Sequence, residues 1–173
     1  MGSQWLTLDV CSVAEVVALL ERPETVERVT EAVRPAVLRL AQRDYQRDPK
    51  TWQHADADLL IQALREVTAL LSNGSQQIEL HADEDETPEL WDFIWSEWEP
   101  SDALQLPLSP HGVPAVTYKD STSAARYAER FKALRARGGY ARRKLAPTQL
   151  DALVAALDEA ANAERGLFAY YEL

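Results

Sequence analysis

Two histidine–carboxylate tripeptides, His54-Ala55-Asp56 and His81-Ala82-Asp83, carry side chains that bind divalent metals. Each runs on into further acid: Asp58 in the first case, and Glu84, Asp85 and Glu86 in the second. His54 and Asp58 stand four apart, which places two ligands on one helix face. The candidate metal set is His54, Asp58, His81 and Asp83. Two points weigh against it. Acids at a helix start are also what the macrodipole favours, and the HExxH pattern of a zinc helix is absent. The run Asp83 to Glu86 lacks the alternating acids, glycine and distal glutamate of a calcium loop, so it reads as a solvated loop.

The second constellation is aromatic. Trp91, Trp95 and Trp98 follow one another at roughly helical spacing, with Asp92, Glu97 and Glu99 among them. With Ile94 they form one apolar stripe, and such a stripe is usually core. With Trp91 or Trp98 exposed, it becomes a platform for a partner, and its acids suit a basic one. The surrounding charge agrees. From Glu66 to Tyr118, 53 residues pass without a Lys or Arg, while eleven acids occur. From Lys119 to Lys144 the sign reverses, with nine basic residues against Asp120 and Glu129. The basic cluster Arg135 to Lys144 surrounds Gly138-Gly139 and Tyr140, which suggests a phosphate site. It lacks the GxxxxGK[ST] pattern, however, so the glycines read as a helix stop and the charges as partners for the acidic half.

No GxSxG, GxGxxG or CxxC motif occurs, and no cofactor is expected. The single cysteine, Cys11, excludes an internal disulfide and reads as a buried structural thiol. A net charge of −10 opposes binding to nucleic acid or to an anionic membrane. No apolar run approaches the roughly 20 residues of a membrane span, and no secretory leader is visible, so a cytoplasmic location is expected. Apolar residues at 46% and charged residues at 27% are ordinary globular values, which excludes wholesale disorder.

These groups need elements to hold them. Trp5 to Val10 alternates and predicts a strand. Ser12 and Glu15 form a capping box for a helix that Pro23 ends. A second helix, from about Glu24 to Arg43, is interrupted at Pro35. Leu60, Leu64, Val67 and Leu71 mark a third, stopped by Ser72-Asn73-Gly74. Gln76 to Leu80 and Val113 to Tyr118 are candidate strands, and Thr87-Pro88 opens a helix. Helices follow over about Thr122 to Arg137 and Pro147 to Glu164, the latter closed by Gly166. Leu167 to Glu172 is a terminal strand. The expected fold is α+β: one compact domain over residues 1–173, mostly helical, with a small sheet that pairs the N- and C-terminal strands.

The layout resembles the YfbM-like family of small bacterial proteins of unknown function. The likeness lies in Trp5-Leu-Thr-Leu-Asp-Val leading into the capped helix Ser12 to Leu20. It continues in Trp52 heading a helix that ends at Asn73-Gly74, in Val116-Thr-Tyr118 before a helix with a basic tail, and in the terminal strand Gly166 to Tyr171. The Ile-Tyr-Pro segment of such proteins is replaced by Arg143-Lys144-Leu145-Ala146-Pro147. The resemblance implies an α+β fold and supplies no activity or site residues. Ala, Arg and Leu usage points to a GC-rich bacterial source. Two functions fit the residues. One is a non-catalytic binding module, immunity- or antitoxin-like, that docks a basic protein through Trp91, Trp95, Trp98, Asp92, Glu97 and Glu99. The other is a small-molecule binder or enzyme with a carboxylate–histidine pocket. Enzyme status and oligomeric state stay open at this level.

Overall fold

Alternation along Trp5 to Val10 makes β1 (Gln4–Val10), and the expected capping box starts α1 (Val13–Leu20). Ser12 Oγ accepts the Glu15 amide at 3.1 Å, and Glu15 Oε2 accepts the Ser12 amide at 2.7 Å. The computed structural model describes residues 4–45, 54–80, 87–100, 104, 115–137 and 147–173, with 54 and 55 as backbone only. The helix expected from Glu24 is two 3₁₀ turns, Pro23–Arg28 and Glu31–Val33, followed by α2 (Arg34–Gln42). The break therefore precedes Pro35. That proline sits in the first turn of α2, where a missing N–H is harmless.

Next come α3 (His54–Leu71), β2 (Gln76–Leu80), α4 (Pro88–Ile94) and β3 (Ala115–Asp120). They are followed by α5 (Ser121–Ala136), α6 (Pro147–Asn162) and β4 (Gly166–Glu172). The turn after α3 uses Gly74 at φ +112°, a conformation that favours glycine. The turn after α6 does not. Its left-handed residue is Glu164 (φ 51°), and Gly166 instead opens β4.

The strands form one antiparallel sheet in the order β2-β1-β4-β3. The terminal strands pair as expected, with Leu6 opposite Tyr171 and Val10 opposite Leu167. Helices cover both faces. On the first, Leu6, Leu8, Val10, Ala169 and Tyr171 pack with α4, α5 and α6. On the second, Val116, Tyr118, Phe168 and Tyr170 pack with α1, α2 and α3 around Cys11. An antiparallel sheet covered on both faces has no solvated side. Two polar residues of β1 are therefore buried, Thr7 at 1% exposure and Asp9 at 0%.

Asp9 is accommodated by hydroxyls. Thr68 Oγ1 donates to it at 2.7 Å and Ser75 Oγ at 2.5 Å, and the Tyr170 hydroxyl lies 2.9 Å from Thr68 Oγ1. Burial pushes the Asp9 carboxyl above its ordinary range, outweighing the Ser75 and Thr68 hydrogen bonds and the Arg65 charge. The folded chain thus keeps this proton to higher pH than the unfolded chain. Its contribution to stability falls as pH rises from about 4 through the raised value. Asp9→Asn keeps the shape and removes the titration. The variant is expected within about 1 kcal/mol of wild type at pH 7. Urea melts across the acid range should show the stability of wild type relative to the variant declining as pH rises. A difference independent of pH contradicts this.

Candidate partner-binding face

Pro88 starts α4 at a position that needs no amide, with Thr87 before it. Leu90, Trp91, Phe93 and Ile94 turn inward, and Pro88 and Asp92 turn outward. Phe93 meets Tyr127 and Phe131 edge-on, with centroids at 5.2 and 5.9 Å. Trp91 meets Tyr171 edge-on at 5.2 Å, and Trp95 meets the same ring at 5.8 Å. The two tryptophans differ in exposure, Trp91 at 7% and Trp95 at 41%. Pro88, Trp91, Asp92 and Trp95 line an open cleft of about 260 Å³. Its positions are spaced three, one and three apart, along one side of the helix.

The stripe expected to continue to Trp98 does not. α4 stops at Ile94, where Ser96 Oγ donates to the Phe93 carbonyl at 2.5 Å and competes with the helical ladder. Ser96 to Glu99 then runs along the free edge of β3. Thr117 Oγ1 donates to the Ser96 carbonyl at 2.9 Å, the Glu99 amide to the Tyr118 carbonyl at 2.9 Å, and the Asp120 amide to the Glu99 carbonyl at 2.8 Å. This strap covers an edge that would otherwise offer unpaired backbone. Trp98 crosses to the second face, where it is 5% exposed and packs on Tyr118 and Phe168. Its indole donates to the Val116 carbonyl at 3.3 Å. The platform expected of three tryptophans thus reduces to Trp95. Trp91 and Trp98 are core residues on opposite faces of the sheet.

Glu99 also leaves the expected surface set, because it is engaged internally. Its carboxylate accepts from Ser123 Oγ at 2.8 Å, pairs with Arg126, and lies 3.5 Å from the Lys119 ammonium. Lys119 is fully buried and also donates to the Glu97 carbonyl. Burial pushes the Lys119 ammonium down to about 8 against the pull of Glu99. Partial burial acts to raise the Glu99 carboxyl, but the Ser123 bond with Lys119 and Arg126 outweighs it, and the group sits below the usual glutamate range. Lys119, Arg126 and Arg130 all lie 5.4 to 5.6 Å from the Tyr127 ring centre. Lys132 pairs with Asp158 at 2.9 Å and Arg135 with Asp151 at 2.7 Å. The described cations of α5 are thus committed to Glu99, to Tyr127 or to α6. Asp92 and Glu97 are exposed, and neither forms an ion pair among the described residues.

Asp58 is exposed on α3, while the His54 side chain, His81 and Asp83 lie outside the described residues. Arg142, Arg143 and Lys144 lie outside them too. Among the described residues no group of three His, Cys, Asp or Glu side chains is placed to hold a metal ion, and no helix is long and apolar enough to cross a membrane. Cys11 is buried as expected, and burial with nearby Asp9 and Glu15 pushes its thiol far up, away from nucleophilic use. Two polar centres escaped the sequence reading, Asp9 and Lys119. Asp9 sits at an alternating strand position that reads as solvent-facing until helices are known to cover both faces, and Lys119 lies one residue past the expected strand, at the head of the basic run. Comparison of the chain with protein-family models, curated proteins and solved structures gave no match.

Proposed function

We propose that this chain is a non-catalytic binding module that docks a basic protein partner through Trp95, Asp92 and Glu97, in the manner of an immunity or antitoxin protein. The observation that carries this reading is Trp95. It is a large aromatic side chain left 41% exposed beside Asp92, a carboxylate that forms no ion pair among the described residues. Both lie inside the stretch of 53 residues that has no positive charge. An exposed tryptophan in a cleft is the usual anchor of an interface, and unscreened like charges around it select and speed a partner of opposite sign.

The test is affinity capture from the host lysate with wild type and with Trp95→Ala/Asp92→Asn/Glu97→Gln as baits. It is run at about 50 mM and about 300 mM salt, where screening lengths differ more than twofold. A basic protein should be held by wild type at low salt, weakened at high salt and lost from the variant. Loss of a tryptophan anchor alone costs about 2 kcal/mol, or roughly thirtyfold in affinity. Identical proteins on both baits would overturn the reading.

A further inference from the structure

Resting on that reading, we infer that the cleft of Pro88, Trp91, Asp92 and Trp95 seats one arginine side chain of the partner, its guanidinium stacked on the Trp95 indole and forked to the Asp92 carboxylate. Size is the first argument. At about 260 Å³ the cleft falls below the roughly 300–1,000 Å³ of ordinary small-molecule pockets. It suits a single side chain better than a metabolite.

Chemistry is the second. An indole is the best aromatic partner for a cation, and a guanidinium adds planar stacking and a bidentate fork to carboxylate. An ammonium offers neither and is more strongly hydrated. An apolar occupant would strip water from Asp92 and return no hydrogen bond, which is costly. A cation removes that penalty.

This protein already stacks cations on an aromatic ring, at Tyr127, where Glu99 completes the charge balance through Lys119 and Arg126. Trp95 and Asp92 repeat that aromatic–carboxylate pairing, and among the described residues no cation lies over Trp95. Tyr171 holds the Trp95 ring from one side and buried Trp91 floors the cleft, so little side-chain freedom is lost on binding.

The test uses three synthetic peptides that alternate Gly-Ser with arginine, with lysine or with citrulline. Each is titrated into ¹⁵N-labelled protein while the tryptophan indole N–H signals are followed. Trp95→Phe identifies the Trp95 signal. The buried Trp98 signal reports that variants stay folded. The arginine peptide should move the Trp95 signal saturably. Asp92→Asn should weaken that binding about tenfold, the loss of one charge-assisted contact. The lysine peptide should bind less tightly, and the citrulline peptide should leave Trp95 unmoved. Arginine-peptide binding that spares the Trp95 signal, or is indifferent to Asp92→Asn, overturns this site and leaves the wider binding reading standing. Equal affinity for lysine overturns the arginine assignment. Failure of both basic peptides to bind overturns site and reading together.

Discussion

Glu99→Gln is expected to destabilise the fold by about 2–3 kcal/mol. The substitution removes the carboxylate that offsets burial of the Lys119 ammonium beside Arg126, and leaves only the weaker pull of Asp120. Removing one partner of a buried ion pair costs about 3–5 kcal/mol, and the lower figure here allows for a Glu99 side chain that is 32% exposed. Lys119→Met removes the charge that makes the loss expensive. The double variant Glu99→Gln/Lys119→Met should therefore be more stable than Glu99→Gln alone, a non-additivity readable by urea melts. The pH dependence has a definite sign. The unfolded chain holds the Lys119 proton to about pH 10.5, while the folded chain releases it at about 8. Between those values the unfolded state binds more protons, so Lys119 makes stability rise with pH. Lys119→Met should remove that rise. The same cluster holds the strap from Ser96 to Glu99, whose N-terminal neighbour is Trp95. Loosening it is expected to disorder the exposed indole before the sheet melts.

Gly166→Ala is expected to cost about 2–3 kcal/mol, the upper part of the range for overpacking a core. A Cβ at this position would meet two ring carbons and the hydroxyl oxygen of Tyr118 at 2.5 to 2.7 Å. The ring has nowhere to go. It is 4% exposed, packs against both Trp98 and Phe168, and its hydroxyl accepts from the Val13 amide at 3.5 Å. Backbone conformation is not the cause, since Gly166 opens β4 without a left-handed φ. Tyr118→Leu clears the contact. The combined Gly166→Ala/Tyr118→Leu variant should lose less than the sum of the single costs, by about 1 kcal/mol or more. Strict additivity in thermal or urea melts would place the cost elsewhere.

Much of the architecture is legible in the residues. Period-two alternation marks β1, the Ser12–Glu15 box marks α1, and leucine spacing marks α3 and α6. Apolar strands at both ends of the chain suggest their pairing, and the sheet realises it. The failures have particular causes. Trp91, Trp95 and Trp98 read as one stripe because helical spacing alone does not reveal where a helix stops. Ser96 ends α4, and backbone pairing with β3 carries Trp98 to the other face. Glu99 reads as a surface acid because its cations come from β3 and α5, twenty and more residues later. Gly166 reads as a helix stop because glycine serves two purposes, and here close approach of a ring, not a positive φ, demands it. Asp9 shows that alternation identifies a strand face but not whether a helix covers it, and Lys119 escaped because the strand runs two residues past its expected end. Of the candidate interface, Trp95, Asp92 and Glu97 are exposed, and the run without positive charge around them is legible in the sequence.

The most direct measurement places a photo-crosslinking residue at Glu97, beside Trp95, and a second at Leu38. Leu38 is 47% exposed on α2, across the sheet from the acidic face. Both proteins are irradiated in the living host and their adducts identified. A basic protein joined through position 97, and not through position 38, is the expected result. Adducts common to both positions, or none at 97, would contradict a dedicated acidic docking face.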